Sequence, residues 1–188
     1  YFSYVHSFPA YDDAEQGIIG RYLRPVENML TCLVNTDERA PVVAKIQGGF
    51  QWNEKAKRQA WGSLALTLRP FTWMELTPGV FYQNVANEEA WVFGVPPISD
   101  PGVSASPFTL FGDRDVEYLD ISFRGIITFT RTLSLQFFTQ GFIARGRYDS
   151  FKRIGSGSDL VPYGYQNIPG FVSPDFNSAA LNANVLLR

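Results

Sequence analysis

Residues 115–149 read DVEYLDISFRGIITFTRTLSLQFFTQGFIARGRYD, and this stretch decides the fold. In its first half Leu119, Ile121, Phe123, Gly125, Ile127 and Phe129 fall at alternate positions. Tyr118, Asp120, Ser122, Arg124, Ile126, Thr128 and Thr130 lie between them. The second half repeats the pattern, with Leu133, Leu135, Phe137, Thr139, Gly141 and Ile143 against Ser134, Gln136, Phe138, Gln140 and Phe142. Successive side chains of an extended chain point to opposite faces, so a period of two predicts strands. The stretch reads as two strands folded back at Thr130-Arg131-Thr132. Each arm exceeds the roughly 5–6 residues of a typical soluble strand. A strand that crosses a bilayer needs about 9–11 residues and alternates apolar with polar side chains. The expectation is a hairpin of an outer-membrane β-barrel.

Composition agrees with that expectation and closes several others. The chain has 188 residues, enough for one domain, 1–188. Its apolar fraction is ordinary at 45%, and no run approaches the roughly 18 apolar residues of a transmembrane helix. Aromatic residues reach 15%, which suits strands and interfacial girdles. A soluble sandwich or ligand-binding barrel has a similar composition. The net charge of −2 leaves no nucleic-acid footprint, so no nucleic-acid partner is expected. Cys32 is the single cysteine and His6 the single histidine, which removes intrachain disulfides and Cys-based metal clusters. No cofactor motif is present and no cofactor is expected.

Taken in order, Tyr1 to Phe8 reads as a short strand and Pro9 to Pro25 as a loop. Asn28 to Asn35, Val42 to Asn53, Arg58 to Arg69 and Trp73 to Asn84 read as strands. Pro78 cannot donate to a ladder, so an irregularity is expected there. Asn87 to Arg114 and Ser150 to Asn177 read as long loops, and Ser178 to Arg188 as the last strand. Short connections (36–41, 70–72, 130–132) alternate with a mostly long set (9–27, 54–57, 86–114, 149–177). That sorting matches an up-and-down barrel with short periplasmic turns and long extracellular loops. The total is about eight strands, enough to close a small barrel. Both ends read as strand, so the expectation is an all-β, antiparallel up-and-down transmembrane barrel, truncated here and part of a larger one.

The succession Leu119, Arg124, Thr128-Phe129, Leu133-Ser134-Leu135-Gln136, Gln140, Phe142, Gly146, Tyr148 and Phe151 resembles a known domain. It is the C-terminal outer-membrane β-barrel domain of bacterial proteins that carry an N-terminal carbohydrate-binding family 9-like domain. Leu66-Thr67-Leu68-Arg69-Pro70, Asp175-Phe176-Asn177 and Asn182-Ala183-Asn184-Val185-Leu186-Leu187-Arg188 also look like segments of that family. The likeness spans most of residues 28–188 and rests on strand residues without a catalytic signature. It implies a barrel fold in the bacterial cell outer membrane, with a further hairpin after the last segment. It carries no sugar-binding role onto any residue of this chain.

Candidate chemistry follows from the two faces. Lys45, Arg69, Glu75, Asp120, Arg124, Gln136 and Gln140 are the lumen-facing polar candidates. Leu64, Leu66, Ile121, Phe123, Ile127, Leu135 and Phe137 are the lipid-facing ones. Arg124 is expected opposite Phe138 and diagonal to Gln136 and Gln140, and Arg69 diagonal to Glu75. Such groups either guide solutes or fill a narrow barrel with an internal network. His6, with Ser3, Ser7 and Asp12 or Asp13 nearby, is the sole candidate base, and no elbow motif surrounds it. Asp12-Asp13 with Glu15, and Asp113 with Asp115, are oxygen-rich but lack an EF-hand pattern. Gly155-Ser156-Gly157-Ser158 lacks the ending of a phosphate loop. Phe71, Trp73 and Phe129 beside the short turns, and Trp91, Phe93, Tyr148 and Phe151 toward the long loops, suggest two girdles. The expected function is a pore, a transport conduit or a scaffold for an attached domain, without enzymatic activity. Its partners are outer-membrane lipid, further barrel strands and other envelope subunits. A soluble lipocalin-like binder and an outer-membrane barrel hydrolase are the alternatives.

Overall fold

The computed structural model describes residues 1–12, 21–95, 107–155 and 157–188. Its strands are β1 (Phe2–Ser7), β2 (Ala10–Asp12), β3 (Tyr22–Arg24), β4 (Glu27–Asn35), β5 (Val42–Asn53), β6 (Arg58–Phe71), β7 (Met74–Val95), β8 (Phe108–Thr128), β9 (Ser134–Ile154), β10 (Leu160–Pro162) and β11 (Phe176–Leu187). The fold is all-β and antiparallel. The main sheet runs β1-β4-β5-β6-β7-β8-β9, with β10 and β11 on the far side of β9. β2 and β3 form a separate two-stranded pair. The main sheet does not close on itself: among the described residues β1 pairs only with β4, and β11 only with β9.

Local chemistry sets the short reversals. At the β5–β6 turn the Asn53 side-chain oxygen accepts from the N–H groups of Lys55 (2.9 Å) and Lys57 (3.0 Å). Ala56 in that turn takes a positive φ of 70°. At the β8–β9 turn the Thr130 hydroxyl accepts from the Thr132 N–H at 3.2 Å. Asn and Thr compete for backbone partners in this way, which favours turns over ladders. Within the strands, bulky rings lie over cross-strand glycines. Phe137 covers Gly125 and Trp61 covers Gly49 so closely that a Cβ at either glycine would collide with the ring. Such pairs recover the packing that glycine lacks and pin the register.

Three of the expected loops are corrected. Residues 86–114 do not form one long loop: β7 continues to Val95 and β8 begins at Phe108. β9 likewise runs on to Ile154. The period of two is hidden there because the register shifts between Val85 and Glu88, Trp91 and Phe93, and Phe111 and Asp113. Asn87 and Ser150 sit at these shifts with φ of 54° and 46°, the mark of bulges. Residues 9–27 contain the β2–β3 pair, and 149–177 contain β10 and a 3-10 turn, Tyr165–Asn167. The expected irregularity at Pro78 takes the form of a gap. The β6–β7 ladder passes from Ala65↔Gly79 to Leu68↔Leu76 without a pair at Pro78, and its register shift falls further on, between Leu68 and Phe71.

The extended ends of β7, β8 and β9 carry the main hydrophobic core. Val95, Phe108, Leu110, Phe151, Tyr163 and Ile168 are buried together, with Val92, Phe93, Tyr148 and Phe171 packed against them. Leu110 and Phe111 have no exposed surface. Tyr22 of β3 lies 5.0 Å from Phe111, and the Leu23 N–H donates to the Ser158 carbonyl. This end of the molecule is a packed cap. The long arms below it, on both sides of the sheet, form a wall without such a core.

Candidate functional site

Register fixes which side chains share a face of the wall. Val34, Ile46, Leu64, Val80, Ile121, Gly141 and Leu181 form one continuous row across seven strands. The same face carries Leu66, Phe123, Ile127, Leu135 and Phe137. On β8 its apolar stretch runs from Leu119 to Ile127, the roughly 9 residues that cross a hydrocarbon core. A Glu117–Arg145 ion pair borders it at the cap end. At the other end Phe71 and Trp73 stack at 5.0 Å. No described element covers this face: Ile121 is 58% exposed and Ile143 52%. An uncovered apolar surface of this extent marks a lipid or protein contact.

The opposite face brings the polar candidates together. Lys45, Ala65, Gly79, Ser122 and Gln140 form one row, and Ser63, Phe81, Asp120 and Phe142 the adjacent one. Arg124 stands opposite Phe138, flanked by the Ile126↔Gln136 and Ser122↔Gln140 pairs, as expected. Arg69 Nε donates to Glu75 Oε2 at 2.8 Å, and its guanidinium also reaches the Glu38 carbonyl. Lys45 pairs with Glu38 at 3.2 Å. Asp120 is buried; its Oδ2 accepts from Gln140 Nε2 (2.5 Å) and from the Tyr118 hydroxyl (3.3 Å). Arg124 has no hydrogen-bond or ion-pair partner among the described residues.

Two groups of residues escaped the sequence reading. One is a run of rings on the polar face. Trp61 and Phe81 lie 6.4 Å apart, Phe81 and Tyr118 5.7 Å, and Tyr118 and Phe142 6.0 Å. Placing the strands in register would have found it, since each ring falls at a polar-face position. The other is a charge network under the cap, concealed within the expected loop 86–114. Lys57 joins Glu27 (2.9 Å) and Glu88 (3.3 Å), and Arg114 binds Glu88 and reaches the Tyr148 hydroxyl. These groups, with Tyr22, Arg24, Asn53 and Trp91, line a cavity of about 360 Å³. Burial pushes the Glu88 carboxyl up, but Arg114 and Lys57 outweigh it and hold the group below its ordinary value. Burial pulls the Arg114 guanidinium down, and its bonds to Glu88 and Tyr148 more than restore it.

The remaining candidates go elsewhere. His6 Nδ1 lies 2.8 Å from Asn28 Oδ1, and its ring meets Phe8 edge-on. The Ser3 hydroxyl faces Thr31 at 3.0 Å, so neither Ser3 nor His6 is aligned on the other. Asp113 is taken by Lys152 at 2.6 Å, and Asp115 accepts from the Asn87 N–H at 2.8 Å. Asp13, Glu15 and Ser156 lie outside the described residues. Of the cap-side girdle, Phe151 is buried and Phe93 and Tyr148 pack against the cap core, which corrects their expected interfacial position. Trp91 remains 45% exposed. No family model, curated protein or solved structure matches this chain, so its assignment rests on the geometry of these two faces.

Proposed function

We propose that the chain is the wall of a transmembrane β-barrel in the outer membrane of a diderm bacterium, serving as a conduit for small solutes. One observation carries this reading. A single apolar face, about as tall as a hydrocarbon core, runs uncovered across the sheet while the opposite face holds amides, hydroxyls and charges. The apolar face meets lipid, through Leu64, Leu66, Ile121, Phe123, Ile127, Leu135 and Phe137. The polar face, with Lys45, Arg69, Glu75, Asp120, Arg124, Gln136 and Gln140, lines the passage. The cap lies on the outer side and the short turns at the periplasmic side. A scaffold for an attached domain uses the same wall without conducting.

Extraction and reconstitution test the reading. The protein is expected to partition into membranes, to need detergent in solution, and to give discrete conductance steps in a planar bilayer. Monomeric behaviour without detergent would replace the wall with a soluble binder that folds its apolar face inward. Membrane insertion without conductance would leave the scaffold role. A His6→Ala variant that abolishes a hydrolase activity would overturn the non-enzymatic reading.

A further inference from the structure

Asp120 is placed unlike any other carboxylate of the wall. It is 8% exposed, yet among the described residues it forms no ion pair. Among the described residues both of its hydrogen bonds, from Gln140 and Tyr118, go to Oδ2, and none of these residues donates to Oδ1. A buried charge is costly unless it is paired, so this oxygen is an unmet demand for positive charge or a strong donor. Its direct cross-strand neighbours are Phe81 and Phe142, whose side chains rise from the same face within contact range. Tyr118 stands within 6.0 Å of both rings, and Trp61 extends the run beyond Phe81. The nearest cation along β8 is Arg124, four residues away or about 13 Å at the usual strand rise.

Ring faces carry negative potential and attract cations, most strongly when water is excluded. Three rings beside one carboxylate that lacks an ion pair, with Trp61 stacked behind Phe81, add potentials of a single sign. We propose that Asp120, with Phe81, Tyr118, Phe142 and Trp61, forms a binding site for a small organic ammonium ion on the polar face. The ammonium sits against Phe81, Tyr118 and Phe142 and delivers its charge to Asp120 Oδ1, while Gln140 holds Oδ2 in place. This deepens the conduit reading by naming the class of solute that dwells in the passage, and it rests on the polar face being reachable by solutes.

The test is calorimetric titration of the purified full chain in detergent with choline, against its neutral isostere 3,3-dimethyl-1-butanol and against maltose. Choline is expected to bind at least tenfold more tightly than the isostere. Asp120→Asn, which preserves the shape and the Gln140 contact, is expected to remove at least tenfold of the choline affinity, and Phe142→Leu severalfold. Equal binding of choline and the isostere would overturn the proposal in favour of a merely apolar cleft. Maltose binding without choline binding would overturn it in favour of a saccharide lane. An Asp120→Asn variant that binds choline as well as the parent chain would also overturn it. The titration needs no conductance, so a silent bilayer would count against the conduit alone.

Discussion

The cap and the wall share the three long strands β7, β8 and β9 but are stabilised differently. In the cap, Val95 and Leu110 lose essentially all exposure, and loop residues Tyr163 and Ile168 close over the strand ends. Water is excluded by the protein itself. In the wall, no described element covers the bulky side chains of the apolar face, and Ile121 and Val185 remain open. That face gains its free energy from whatever medium surrounds it. The cap is thus a small closed core carried by strands that, lower down, leave one apolar face uncovered. A reader of strand length alone would see one continuous element; burial divides it in two.

Substitutions in the two regions should therefore fail in different ways. The largest effect is expected for Leu110→Ala, about 2–5 kcal/mol for a fully buried leucine. Hydrogen exchange should show cap amides losing protection while the wall keeps its own. Equal loss in both regions would merge them into one cooperative unit. Ile121→Arg is expected to cost about 2–4 kcal/mol in lipid vesicles, read by denaturant titration. If that face met water, the change would stay within about 0.5 kcal/mol.

The charge network at the junction gives a sharper contrast. Glu88 is held below its ordinary carboxyl value of 4.5 by Arg114 and Lys57, against the upward push of burial. A depressed carboxyl contributes stability above the unfolded value and loses it as the pH falls through the folded one. Cap stability should accordingly decline as the pH drops below 4.5, and Glu88→Gln should flatten that decline. An unchanged acid limb in the variant would place the titration elsewhere. The smallest effect concerns the short-turn end. Arg69 and Glu75 are each 39% exposed, so a double-mutant cycle should return a coupling of no more than about 1 kcal/mol.

Much of the wall was legible in the residues. Val42–Asn53 emerges with the expected bounds, and the opposition of Arg124 to Phe138 and the Arg69–Glu75 pair were readable by counting from the turns. Counting works there because strand geometry is local and each turn fixes the next register. It stopped working past Val85 and Asp149. A bulge adds one residue to one strand, so the apolar pattern changes phase and resembles a loop. The junction network is hidden for the same reason, since the shifted phase makes Glu88 and Arg114 read as loop although they pair directly.

The sequence by itself determined the two-faced strands, their antiparallel order and the chemistry of each face, because alternation is written residue by residue. The tertiary structure decided where the wall ends and the cap begins. It also gathered Phe81, Tyr118 and Phe142 beside Asp120, with Trp61 next to Phe81. Those outcomes depend on bulges and on contacts between residues far apart in the chain. Only the assembled register brings such residues together, and only burial reveals which charges are left uncompensated.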